Sequence, residues 1–192
     1  MLKTIVFIIA SYLVGSISFA YLICRRFYSI DIRQYGSGNP GSTNVLRVLG
    51  KKPALIVFTA DLLKGFTMVS LGRLLGGESL ALLSAIAVVV GHDWSVFLNF
   101  KGGKGIATSF GVIIGISSKV GLILFIIGIS VIYISRYVSL GSISAAVFLP
   151  ILLIVFKYPI NHIITGLILG IIGYLNTIKS IGKENKLGQK AR

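Results

Sequence analysis

Acid is scarce in this chain. Five Asp and Glu stand against nineteen Lys and Arg. The five, Asp31, Asp61, Glu78, Asp93 and Glu184, are scattered along the chain, so no metal cluster is visible and neither a metal nor another cofactor is expected. There is one cysteine, Cys24, which excludes an intramolecular disulfide. No G-x-x-x-x-G-K-[ST] run occurs, so an ATP loop of the Walker type is excluded. No linker or internal repeat marks a second domain. The polarity of a soluble domain is missing as well: 55% of residues are hydrophobic and the mean hydropathy is +0.92.

What is present is a series of apolar runs, at about 4–24, 53–75, 79–91, 105–116, 120–135, 138–156 and 160–175. They predict an all-α fold, a polytopic integral membrane helical bundle forming one transmembrane domain over 1–192. A crossing usually needs about 20 residues, and several runs are shorter, so they must tilt or use polar flanks. Seven spans are expected, with five as the alternative. The first run is too long for an export signal and no A-x-A-like site follows Cys24. From Lys179 the apolar character is lost, and 179–192 is expected to be a loosely ordered tail.

The net charge of +14 would suggest nucleic acid in a soluble protein. Here its distribution reads as topology, and no nucleic-acid partner is expected. With seven spans, fourteen cations fall on one side, from Arg25, Arg26 and Arg33 through Arg47 and Lys104 to the tail. The opposite side holds Lys3, Arg73, Lys119 and Lys157. Positive loops stay in the cytoplasm, so the N-terminus is expected outside and the C-terminus inside.

Two loops on that cationic side carry unusual chemistry. The run 91–108, GHDWSVFLNFKGGKGIAT, sets Lys101, Gly102, Gly103, Lys104 and Gly105 ahead of an apolar segment starting at Ile106. Glycines admit a ligand close to the backbone. Free amides, a helix N-terminus and lysines make an anion site suited to phosphate. His92 adds a candidate base or phosphate partner. The run 36–47, GSGNPGSTNVLR, packs Ser37, Gly38, Asn39, Ser42, Thr43, Asn44 and Arg47 into one short loop. Asn-Pro-Gly alone makes a turn, but a plain connector does not need this many donors. The formal G-x-G-x-x-G fails as a dinucleotide motif, because no strand precedes it.

Other polar positions have plainer readings. Asp61 and Lys64, three residues apart inside a span, are expected to be a structural ion pair facing protein. Ser139 and Ser142 share a helix face, either for packing or for substrate. Gly111 and Gly115, and Gly166 and Gly170, suit close helix packing.

Taken together, these motifs resemble the bacterial integral-membrane acyl-phosphate:glycerol-3-phosphate acyltransferases of the PlsY type, almost end to end. GSGNPGSTNVLRVLGKK is similar to the family's first motif and GHDWSVFLNFKGGKGIAT to its second. DLLKG at 61–65 and RYVSLGS at 136–142 also match. Ser95 stands where the family usually has Pro. In the tail, Asn176 and Gly182-Lys183-Glu184 are similar to a family motif at a spacing one residue shorter. A His followed five residues later by Asp, the pattern of soluble glycerolipid acyltransferases, is absent; position 97 is Phe.

The resemblance implies transfer of a fatty acyl group from a long-chain acyl phosphate to the sn-1 hydroxyl of glycerol 3-phosphate. Lysophosphatidic acid and phosphate would be released, in the first step of phospholipid synthesis. It implies catalytic roles for Ser37, Arg47, His92, Lys104, Ser142 and Asn176. Substrate contacts would come from Gly38, Asn39, Thr43, Asn44, Lys101, Gly102, Gly103, Gly105, Arg136, Ser139 and Lys179, with Glu184 structural beside Asp61 and Lys64. The expected setting is the bilayer of the bacterial inner membrane, with a monomer whose site faces the cytoplasm. The rival reading is a transporter of a phosphorylated solute. It lacks an inverted repeat, and its polar groups would gather at one face instead of the midplane.

Overall fold

The computed structural model describes residues 1–190, with side chains described through residue 179. Among these residues it is all-helical, with α1 Leu2–Ser16, α2 Phe19–Tyr28, α3 Ser42–Leu49, α4 Lys51–Asp93, α5 Ile106–Ile116, α6 Ser118–Ser135, α7 Val138–Val155 and α8 Ile160–Lys190.

The first apolar run is not one helix. The chain bends by 41° between α1 and α2, where Ser18 caps α2 by accepting the Tyr21 amide. The expected spans 53–75 and 79–91 lie within α4, a helix of 43 residues interrupted at Gly76 and Gly77, where Gly77 takes φ +71°. There it folds back on itself. In a straight helix residues 72 and 84 would be about 18 Å apart, yet a Cβ on Gly72 would sit 2.9 Å from the Ser84 hydroxyl.

Among the described residues, four helices are long and apolar enough to cross a membrane, with α4 counted once, and five if the bent α1–α2 pair is one span. The segment expected at 105–116 forms α5, but its 11 residues reach only about 16 Å, short of a hydrocarbon core of about 30 Å.

Glycine seams join α4 to its neighbours. A Cβ on Gly15 would collide with the Val88 carbonyl, and one on Gly91 with the Tyr12 carbonyl, so α1 and the second arm of α4 touch backbone to backbone. Gly65 against Thr108 and Gly111 against Leu62 do the same for α5 and the first arm. A core of small and β-branched side chains, including Val69, Ala81, Val88 and Val112, fills the junction. A second cluster of Ala20, Cys24, Ile32, Val45 and Val57 seats the 31–50 segment against α2 and α4. Helices α6 to α8 close the other side of α5, with larger and more exposed aliphatic residues.

Candidate active site

The 31–50 segment is a built loop. Asp31 starts it, accepting the Arg33 amide and pairing with the Arg33 guanidinium at 2.7 Å. Chiefly that hydrogen-bonded pairing holds the Asp31 carboxyl below the usual carboxylate range. Asn44, 2% exposed, is its staple: its amide nitrogen donates to the carbonyls of Ile32 and Tyr35 at 3.1 and 2.9 Å, and its oxygen accepts the Ser37 amide at 2.9 Å. These bonds commit the polar atoms that sequence reasoning offered to the substrate. Gly38, at φ +70°, donates its amide to Tyr35 and completes the turn. Helix α3 then begins at Ser42, placing Thr43 at its start and Arg47 one turn on.

The glycine turn differs from its expected form. The Gly102 amide donates to the Asp93 carbonyl and the Gly103 amide to the His92 carbonyl, each at 3.0 Å. Those two amides are therefore not available to an anion. A Cβ on Gly102 would meet the His92 carbonyl, and one on Gly103 would overlap His92 Nε2. Both glycines thus allow the turn to lie on residues 92–93. The start of α5, where Gly105, at φ +71°, precedes Ile106, lines a cavity instead.

Beneath the turn is a buried charge cluster. Lys64 Nζ donates to the Gly15 and Ile17 carbonyls at 3.0 and 2.8 Å, across the α1–α2 bend, and lies 2.8 Å from His92 Nδ1. Asp61 Oδ1 is 2.8 Å from Lys64 Nζ and 3.6 Å from His92 Nδ1. Spacing shows that Asp61 and Lys64 share a face; nothing in it brings in His92, 28 residues further on. Asn176 donates to Asp93 at 2.5 Å and ties α8 to the end of α4. Ser95 donates to the Ser16 carbonyl at 2.6 Å, and Tyr12 to the Trp94 carbonyl at 2.8 Å.

Two cavities meet over this cluster. A polar one of about 30 Å³ is lined by Ser37, Asn39, Thr43, Asn44, Asp61, His92, Lys104 and Gly105, with Gly41, Ser42, Ile106 and Ala107. An apolar groove of about 500 Å³ runs along α5 between α4, α6, α7 and α8. Phe58, Phe110, Phe125, Ile129 and Leu149 are among its walls, and Ser142 lies on its rim. Ser42, Thr43, Lys104, Ile106 and Ala107 line both. The Ser142 hydroxyl donates to the Val138 carbonyl at 2.9 Å.

Other expected residues lie apart. Arg47, Lys101, Arg136 and Lys179 are exposed and Ser139 is half-buried, and none of the five lines either cavity. The Arg136 guanidinium rests 5.2 Å over the Tyr133 ring. Glu184 falls outside the described side chains. Among the described residues no group of three metal-ligating side chains comes together.

Known proteins share this sequence and fold. The sequence model of a family described as glycerol-3-phosphate acyltransferase matches residues 5–184. A glycerol-3-phosphate acyltransferase of Thermoanaerobacter pseudethanolicus is 49% identical over 95% of this chain and 94% of its own. Glycerol-3-phosphate acyltransferase 2 of Moorella thermoacetica is 41% identical over 96% and 97%. The crystal structure of PlsY, an integral membrane glycerol 3-phosphate acyltransferase, in its glycerol 3-phosphate form superposes with a TM-score of 0.89. It is 36% identical and covers 94% of this chain and 91% of that one. A lysophosphatidic acid form superposes at 0.87.

Proposed function

The chain belongs to the glycerol-3-phosphate acyltransferase family, and from that premise we propose that its acyl donor is a long-chain acyl phosphate and its acceptor the sn-1 hydroxyl of glycerol 3-phosphate. The supporting observation is the meeting of a small polar cavity with a long apolar groove at Thr43 and Lys104. A molecule with a phosphate at one end and a hydrocarbon tail at the other fits that junction.

Each substrate brings a phosphoryl group of about −1.5 to −2 charge, so the site must offset their repulsion. Lys104 and the N-terminus of α5 line the polar cavity and are assigned to the donor's phosphate. Arg47, on the outer face of α3, is assigned to the acceptor's phosphate, for which its planar fork is suited. Ser37, Asn39, Thr43 and Ser142 supply hydroxyl and amide partners, and Asn44 acts by holding the loop. Asn176 acts through Asp93.

An acyl phosphate is an activated anhydride, so direct attack suffices. The acceptor oxygen adds to the acyl carbon, the bond from that carbon to the phosphate oxygen breaks, and phosphate leaves with the electron pair. The hydroxyl proton passes to a substrate phosphate oxygen. Positioning and charge stabilisation carry the rate. The enzyme works as a monomer in the bacterial inner membrane. The polypeptide crosses seven times, with each arm of α4 counted and the short α5 completing its crossing through the non-helical turn before it, which is packed on residues 92–93, and its N-terminus is outside.

The test is turnover. Purified protein given palmitoyl phosphate and glycerol 3-phosphate should release phosphate and lysophosphatidic acid in equal amounts. Uptake of the phosphorylated solute into sealed vesicles without product would favour a transporter instead.

A further inference from the structure

We propose that Lys64 is a positioning residue that locks His92 in one tautomer, making His92 a hydrogen-bond donor to the anion in the polar cavity and not the base that deprotonates the acceptor. The inference deepens the acyl-transfer reading and rests on it for the identity of that anion.

The protons of Lys64 fix the tautomer of His92. An ammonium has three N–H groups and accepts nothing. Lys64 Nζ has three acceptors in hydrogen-bond geometry: the Gly15 carbonyl, the Ile17 carbonyl and His92 Nδ1. Asp61 Oδ1, at 2.8 Å, supplies counter-charge without such geometry. A proton on Nδ1 would point at an ammonium 2.8 Å away, so Nδ1 holds its lone pair toward Lys64 and the ring proton sits on Nε2. Nε2 is on the side where the ring abuts Gly103, and His92 lines the polar cavity together with Lys104 and Gly105. In this tautomer its only lone pair is engaged. The ring can give a hydrogen bond to a phosphate oxygen but has no site at which to receive the acceptor's proton.

The lock is also anchored. The Gly15 and Ile17 carbonyls are exposed to Lys64 because the chain bends between α1 and α2. Lys64 is 5% exposed, so water does not compete. The bend thus fixes the ammonium, and the ammonium fixes the ring.

Two measurements test this on the full-length protein in detergent. The first is ¹⁵N NMR of the histidine side chains, with His92 assigned by loss of its signal in His92→Gln. The lock predicts a neutral ring protonated at Nε2 alone; a proton on Nδ1 would overturn it. In Lys64→Met the single-tautomer signature should disappear. Its kcat with palmitoyl phosphate and glycerol 3-phosphate should fall about tenfold or more while KM changes less. Unchanged kcat in folded Lys64→Met would refute the positioning role. The second compares His92→Gln with His92→Ala, and it holds even if Lys64→Met does not fold. A glutamine amide can donate near the position of Nε2 but cannot act as a base. His92→Gln should therefore retain about tenfold more activity than His92→Ala, and equal loss in both would restore the base. If the native protein does not turn over these substrates, the donor assignment fails, and the ring's proton position is still read from its spectrum.

Discussion

Replacing Gly103 with alanine tests the site's most crowded contact. The added Cβ would lie 2.9 Å from ring carbons Cδ2 and Cε1 of His92, and closer still to Nε2. Carbon atoms pack at about 3.5–4.0 Å, so ring and turn must separate by about 1 Å. Neither side yields easily. The ring is held from behind by Lys64 at 2.8 Å, and the turn by the Gly103 and Gly102 amides on the carbonyls of residues 92 and 93. Overpacking of this kind costs about 1–3 kcal/mol of stability. A displacement of about 1 Å in a positioned group can cost about 100-fold in rate. Gly103→Ala should therefore fold with a lowered Tm and lose about 10- to 100-fold in kcat, since a donor is displaced without removing Lys104. The assay is phosphate release at saturating palmitoyl phosphate, with glycerol 3-phosphate varied, alongside a thermal melt in detergent. A folded Gly103→Ala protein with native kcat and KM would refute the reasoning, because it would mean the ring and turn are not in contact.

Four further outcomes are expected. Lys104→Ala should lose about 30- to 1000-fold in kcat, equivalent to about 2–4 kcal/mol, while Lys104→Arg keeps more; if the fork of Arg47 matters, Arg47→Lys should be nearly as damaging as Arg47→Ala in the same assay. Asn44→Ala removes a buried amide that makes three hydrogen bonds and should destabilise the protein by about 1–3 kcal/mol, with KM for glycerol 3-phosphate raised, as read by thermal melts and kinetics. An impermeant maleimide added to intact cells should label a cysteine introduced at Ser118 and not one at Ser42, buried Cys24 staying silent; labelling at Ser42 from outside would refute the assigned topology.

Local features of the fold are legible in the sequence, because helix formation leaves local marks. The apolar run from Ile106 begins α5 where the glycine turn ends, and Ser42-Thr43 opens α3 after Asn-Pro-Gly. What the sequence does not display depends on distant partners. Asn44 has the appearance of a ligand until its amide is found satisfied by Ile32, Tyr35 and Ser37. Gly102 and Gly103 suggest free amides until residues 92 and 93 are seen lying against them. The Lys64 ammonium meets a ring 28 residues away only because α4 folds back at Gly76 and Gly77. That reversal has a sequence signal, two adjacent glycines in an apolar run, but the signal does not say which residues it brings together.

The glycine seams divide the molecule into regions with different freedom to vary. Where α4 meets α1 and α5, peptide groups touch directly, and no side chain stands between them to shrink or rotate in compensation. A lone substitution at Gly15, Gly65, Gly91 or Gly111 has no neighbouring change that could absorb it. Helices α6 and α7 are less enclosed: only 17% of each span is buried, and α6 gives the groove bulky side chains, Phe125, Ile129 and Ile132, that can be traded residue by residue, while α7 adds mostly small ones, Gly141, Ser142, Ala145 and Ala146. Descendants of this sequence can therefore reshape the hydrocarbon wall, and with it the tails they favour, while the polar half stays fixed beside it.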